Sequence, residues 1–380
     1  MESFTFHNPT KILFGKGQIA NLGKQMQLDG VHRCILVAGG GSIRKNGAYD
    51  AVIDSLQKAS IQHSEAWGVV ANPRLDKVYE IINLAREYKA DAILAVGGGS
   101  VIDTSKSVAA GFYLNDIWDA FLQREKISKA LPIYTVLTIS ATGSEMNGTA
   151  VITNTKTKQK FGMFSELIYP KLSIIDPTLQ ETLPFRQTAN GAMDAIAHIL
   201  EFYFADDKAL STIAINEALI LTIMQMTDIL KSNPKDYVAR ANLAWCATLA
   251  LNGISGAGLK GGDWGCHAIE HALSALHPEI AHGEGLAVIF PAWIEYHCEK
   301  DPSRFVRWSK KIFGEDNPTL GMRRFRDRLQ NWEMPTSLRD LGIKHDELEE
   351  ILNMIMISDT VGAIYKLKKE ELRSLLMLAF

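Results

Sequence analysis

Four of the ten histidines in this 380-residue chain fall in WGCHAIEHALSALHPEIAHG, the stretch from Trp264 to Gly283: His267, His271, His277 and His282. His267 and His271 are four residues apart, and GAMDAIAHILEFY repeats that spacing with Asp194 and His198. Positions i and i+4 share one face of a helix, so each pair could reach a single ion. Asp194 with three imidazoles would offer one oxygen and three nitrogens, a set suited to a divalent first-row ion, Fe(II) and Zn(II) included. His282 stands in AHGEG, where the following glycine suggests a turn at a helix end and a last ligand arriving from the opposite side. Glu201, three residues beyond His198, is expected to orient that ring. His267-Ala-Ile-Glu270-His271 also fits H-x-x-E-H, the inverted zincin pattern of peptide hydrolysis, but that reading leaves Asp194 and His198 without a task. A core histidine or a polar stripe would explain either pair alone; both pairs inside a mostly apolar half are harder to explain that way.

A second chemistry is written in glycines. CILVAGGGSI, ending at Ile43, and AILAVGGGSV, ending at Val101, are each an apolar run, three glycines and a serine, and ALPIYTVLTI leads similarly into ATGSE. Each reads as strand, tight turn and helix, with capping boxes expected at Ser100 with Asp103 and at Thr142 with Glu145. A backbone without Cβ can approach phosphate oxygens closely, and the amides of a following helix point at the same anion. Neither GGGS turn fits GxxxxGK[ST] or a strict GxGxxG, so a dinucleotide in a variant loop is favoured over a nucleotidase.

These residues need a scaffold, and the chain is long enough for two domains. Residues 1–185 alternate strand and helix patterns, as in KVYEIINLAREYKADAILAV, and predict a parallel α/β sheet domain. Strand-like IYPKLSIIDPTL closes it. Residues 186–380 read as all-helical, as in AINEALILTIMQMTDILKS. With 47% hydrophobic and 22% charged residues and a formal charge of −3, the composition is that of a globular protein without an electrostatic footprint for nucleic acid or an anionic membrane; a small molecule is the expected partner. Four cysteines without a CxxC pair point to a reducing compartment. No signal peptide is evident in MESFTFHNPT, and no apolar run is expected to approach membrane-spanning length, so a cytoplasmic location is expected.

Taken together, FTFHNPTKILFGKG, GVVANP, AVGGGSVIDTSK, TISATGSE, IIDPTL, ANGAMDAIAHILE, CHAIEHALSAL, AHGEGLAVIFPAW and MPTSLRDLGI resemble the iron-dependent alcohol dehydrogenase family, nearest its butanol dehydrogenase and NADPH-dependent aldehyde reductase branch. The likeness covers nearly the whole chain. It implies a dehydroquinate synthase-like fold, a Rossmann-like sheet domain followed by a helical metal-binding domain; a homodimer is a further expectation. It also implies Asp194, His198, His267 and His282 as metal ligands, iron as the family's ion, and His271 as a proton relay. Cofactor contacts are implied for Gly39, Gly40, Gly41 and Ser42, for Asn72, for Gly98, Gly99, Ser100 and Asp103, and for Thr138, Thr142 and Lys160. His277, an additional imidazole in a segment one residue longer than in several relatives, is expected at a cleft edge or surface. A dehydroquinate synthase-like lyase or a polyol-phosphate dehydrogenase would want a basic cluster beside the metal, for which Lys260 is the only close residue. The substrates expected are small aliphatic aldehydes and primary alcohols. NADP(H) is expected over NAD(H), because Gly39 stands where NAD-preferring relatives carry Asp, no acid is expected at the loop, and Arg44 and Lys45 follow within reach of an extra phosphate.

Overall fold

The structure is a computed structural model describing residues 1–205, 207–357 and 359–380, with the backbone alone for Arg304. It divides into two compact units, one of residues 7–183 and 233–248, the other of residues 1–6, 184–232 and 249–380. The expected division between 185 and 186 therefore needs two corrections. The first six residues join the helical unit, where the Glu2 N–H donates to the Gly258 carbonyl over 2.9 Å. Residues 233–248, which hold most of the helix Tyr237–Ala250, join the sheet unit. Ala244 lies in that unit's apolar core, and the Thr248 hydroxyl donates to Glu145 Oε1 over 2.6 Å.

In the sheet unit, β1 (Lys11–Phe14), β2 (Arg33–Ala38), β3 (Gln62–Ala66), β4 (Ala92–Gly97), β5 (Ile133–Leu137) and β8 (Leu172–Ile175) form one parallel sheet in the order β1-β8-β5-β4-β2-β3. The central strands are buried and mostly apolar because both faces are covered. Ile35, Val37, Ile93, Ala95 and Ile133 enter one core, and Cys34, Leu36, Leu94, Val96 and Tyr134 enter the other. β2, β4 and β5 are neighbours, so the turns leaving their carboxyl ends lie side by side. The first turn leads into the short helix Ser42–Lys45, the second into the helix Gly99–Gly111.

The third turn departs from expectation. ATGSE is followed by a single 3-10 turn, Ser144–Met146, and then by the antiparallel hairpin of β6 (Thr149–Asn154) and β7 (Gln159–Phe164). TAVITN is rich in β-branched residues, and Lys158 takes the left-handed conformation that closes the turn, so local preference favours a hairpin over a helix. Neither expected capping box forms. Gly98 is the N-cap of the Gly99–Gly111 helix without a side-chain bond, while the Asp103 and Glu145 carboxylates are used elsewhere.

The helical unit is built from the helices Phe185–Tyr203, Leu210–Ser232, Gly265–Leu276 and His282–Lys300, followed by shorter ones. Against expectation, Leu210–Ser232 is long and apolar enough to cross a membrane by length and composition. Half of its apolar window is buried, with Ile213, Ile220, Ile223 and Leu230 inside, the profile of a core helix.

Candidate metal centre and cofactor loops

Three helices bring the candidate ligands together. Phe185–Tyr203 carries Asp194 and His198, Gly265–Leu276 carries His267, and His282 opens His282–Lys300. Asp194, His267 and His282 each offer one ligand atom within 4.8 Å of the others. His198 joins them through Nδ1, 3.6 Å from Asp194 Oδ1, the oxygen that also lies 3.6 Å from His282 Nε2. The rings of His198 and His267 are 4.8 Å apart, and those of His267 and His282 are 5.4 Å apart. This convergence depends on Gly283, where an added Cβ would fall 2.2 Å from the Asn190 carbonyl oxygen, one turn before Asp194. Only a residue without a side chain lets the two helices approach so closely.

Carboxylates hold two of the rings. The expectation that Glu201 orients His198 is corrected: Glu201 Oε1 lies 2.8 Å from His267 Nδ1 and accepts from the His267 backbone N–H at 3.1 Å, while Oε2 accepts from the Trp264 N–H at 2.5 Å. Glu201 thus fixes the His267 ring and satisfies two amides at the start of the helix that carries it, where a negative charge is favoured. His282 Nδ1 is bonded to Glu270 Oε2. With their Nδ1 atoms engaged, both rings turn Nε2 toward Asp194 or the interior. His267 Nε2 and His198 Nδ1 are buried without a hydrogen-bond partner. Buried nitrogens in that state are costly in an apolar interior, and a cation among these donors would satisfy them. The residues fit a divalent ion. Burial and the neighbouring imidazoles hold the His198 pKa well below the ordinary histidine value, which keeps the ring neutral, as a ligand must be. The peptidase reading fails on the same geometry, since the glutamate of H-x-x-E-H is bonded to His282 and the cluster recruits Asp194.

The start of the Gly265–Leu276 helix is anchored twice more. Trp264, its N-cap, holds a left-handed backbone at φ 60°, uncommon for a bulky residue, with its ring 5.3 Å from that of His267. Buried Asp263 accepts from the backbone N–H groups of Ile364 and Tyr365 through Oδ1, at 2.7 and 2.6 Å, and its carbonyl accepts from the Ala363 N–H at 2.8 Å. His271 is half-buried, its ring 5.6 Å from that of His282. His277 lies outside the Asp194, His267 and His282 cluster, and outside a second group of potential ligand atoms from Glu270, His271 and His282; it faces Glu347 at 3.0 Å and Glu279 at 3.4 Å. Lys260 is exposed.

In the sheet unit, Gly39–Ser42, Gly98–Ser100 and Thr138–Thr142 follow β2, β4 and β5. The Thr138 N–H donates to the Gly97 carbonyl over 3.0 Å, and a Cβ on Gly99 would fall 2.6 Å from the Thr142 side chain, so the second and third turns touch. Asn72, left-handed at φ 52°, accepts from Lys160 Nζ over 2.9 Å. Asp103, expected among the cofactor contacts, has a buried carboxylate that accepts from Ser144 Oγ at 2.6 Å and from the Val151 N–H at 3.0 Å. It supports the third turn from beneath. Beside it, Lys106 donates to Ser144 Oγ, to Asn147 O and Oδ1, and to Thr149 O, and burial lowers its pKa to about 8 against the opposing pull of Asp103 and Glu145. The expectation that no acid stands near the first loop is also corrected. Glu65 reaches within 3.9 Å of Arg44, and hydrogen bonds from Tyr49 and Trp67, with the charges of His63 and Arg44, outweigh its burial and hold its pKa below the usual value.

Comparison with known proteins places this architecture. Residues 9–177 match the iron-containing alcohol dehydrogenase family model, and residues 188–380 match the C-terminal model of the same family. The chain belongs to the iron-containing alcohol dehydrogenase family, a class that works with a nicotinamide cofactor and a divalent metal. It is 39% identical over 383 residues to the NADH-dependent butanol dehydrogenase A of Clostridium acetobutylicum, covering 98% of each chain. It is 34% identical to the NADPH-dependent aldehyde reductase YqhD of Escherichia coli, covering 93% of each. The crystal structure of the NADH-dependent butanol dehydrogenase A of Thermotoga maritima matches with a TM-score of 0.97 at 49% identity, over 100% of this chain and 99% of that one. Membership displaces the lyase and polyol-phosphate alternatives.

Proposed function

We propose that the protein is a metal-dependent, NADP(H)-preferring alcohol dehydrogenase and aldehyde reductase acting on short to medium aliphatic aldehydes and primary alcohols. The observation that carries this reading is the convergence of Asp194 and three imidazoles, two of them held by buried carboxylates and two presenting buried nitrogens without partners. Asp194, His198, His267 and His282 would hold the ion. When bound, the ion supplies Lewis acidity toward a substrate oxygen and the dinucleotide supplies or accepts the hydride. Glu201 and Glu270 keep the His267 and His282 rings in one tautomer and one orientation. His271, one helical turn from His267, hands a proton to the substrate oxygen in reduction and takes it back in oxidation, directly or through water. The Trp264 ring, beside His198 and His267, would wall the substrate site.

The relatives divide on the dinucleotide, so the first loop must decide. Gly39 carries no carboxylate that would accept a ribose hydroxyl and repel a 2′-phosphate. Protein purified without added metal, assayed for metal content and then against aldehydes and alcohols with both dinucleotides, tests the whole reading. Aldehydes should be reduced faster than their alcohols are oxidised near neutral pH. A strong preference for alcohol oxidation with NAD under those conditions would count against it.

A further inference from the structure

Beside the first glycine loop lies a cluster that the loop alone does not account for. Arg44, two residues past Ser42, lays its guanidinium over the rings of Tyr49 and Trp67, 4.8 and 4.5 Å from their centres. Glu65 fixes both rings, accepting from the Tyr49 hydroxyl through Oε1 and from the Trp67 indole N–H through Oε2, each at 2.6 Å. Its Oε2 lies 3.9 Å from Arg44, whose side chain stays 58% exposed. The cluster is fastened to the loop, because the Gly68 N–H donates to the Gly39 carbonyl and the Val69 N–H to the Ala38 carbonyl, both at 3.2 Å. Trp67 therefore follows β3 directly and sits one residue before Gly68, whose N–H holds the Gly39 carbonyl.

A planar cation resting on aromatic faces is already oriented and loses little freedom when it binds, while its outward N–H donors remain open to a ligand. A phosphate dianion matches those donors far better than a hydroxyl does. Among the described residues Glu65 is the carboxylate paired with Arg44, but each of its oxygens is occupied by a ring. Serving a ribose hydroxyl would mean sharing or releasing one of those bonds.

We propose that Arg44, cradled by Tyr49 and Trp67 and tethered by Glu65, is the specificity residue that recognises a 2′-phosphate on the adenosine of the dinucleotide. This rests on the reading of Gly39–Ser42 as a dinucleotide loop. Trp67 and Tyr49 orient the guanidinium, and Glu65 orients the two rings rather than touching the ribose.

The experiment compares four probes on the metal-loaded protein by equilibrium titration: NADPH and NADH, and adenosine 2′,5′-bisphosphate and 5′-AMP as competitors. In Arg44→Gln, affinity for NADPH and for the bisphosphate should fall by about tenfold or more, with NADH and 5′-AMP changed by no more than about twofold. Arg44→Lys should recover only part of the loss, and Trp67→Leu should reproduce part of it by freeing the guanidinium. Equal losses for phosphorylated and unphosphorylated probes, or the whole effect appearing in Lys45→Gln instead, would overturn the assignment. So would a selective loss of NADH affinity in Glu65→Gln, which would make Glu65 the ribose acceptor. Failure of the unsubstituted protein to bind any of the four probes would instead overturn the underlying dinucleotide reading.

Discussion

The metal centre and the glycine loops are built on opposite plans. At the metal centre every candidate ligand is a side chain from a helix, and two rings are held by carboxylates, one 66 and one 12 positions away in sequence. At the loops, the surfaces offered are mostly main-chain amides, and apart from the neighbouring Arg44 the decisive positions are those where a side chain is missing. A site made of side chains concentrates its function in a few replaceable atoms, whereas one made of backbone spreads it over many amides and is sensitive mainly to what is added. Subtraction should therefore cripple the first region, and addition should perturb the second.

The largest expected effect is subtraction of a ligand. His267→Ala should lose its metal and lower turnover by several orders of magnitude while keeping the circular dichroism of the folded protein, whereas His277→Ala should keep both metal and activity. If His277→Ala empties the site and His282→Ala does not, the ligand set is wrong. His271→Ala should retain metal and lose on the order of 10²–10⁴-fold in turnover, as expected of a general acid–base group; metal loss in that variant would make it a ligand. Next comes the support beneath a ligand: Glu201→Gln should weaken metal affinity by roughly 10–100-fold in a chelator competition. An unchanged affinity would leave Glu201 with only its helix-capping role. The smallest effect is the addition at the loop. Gly39→Asp should weaken NADPH binding by about tenfold, about 1.4 kcal/mol, and spare NADH. The added Cβ would sit 3.3 Å from the Val69 carbonyl, which needs only a small adjustment, so the change reads charge more than shape.

Spacing carried most of what the sequence disclosed. The i, i+4 pairs, the repeated GGGS turns and the helical character of the second half are local patterns, and local patterns survive in one dimension. What stayed hidden was long-range. Glu201 is near His198 in sequence but bonds His267, 66 positions on, because the helix start at Trp264 meets it there. Residues 233–248 read as one more helix of the second half, yet their packing joins them to the sheet unit. The Glu65 cluster gathers Glu65 from β3, Trp67 just after it, Tyr49 from the helix Ala48–Lys58 and Arg44 from Ser42–Lys45, positions that form no pattern along the chain. The hairpin after ATGSE differs, since the β-branched alternation of TAVITN is local and outweighs the likeness of ATGSE to the two GGGS turns.

The anchorage of the ligand helix through Asp263 has an evolutionary side. The donors that meet this carboxylate and its carbonyl, at Ala363, Ile364 and Tyr365, are all main-chain N–H groups. Substitution at those three positions leaves the donors in place, because every residue but proline carries one. The segment can drift in composition between lineages while still gripping the helix that bears His267. The constraint falls on Asp263, where the acceptor is a side chain that a single codon change removes.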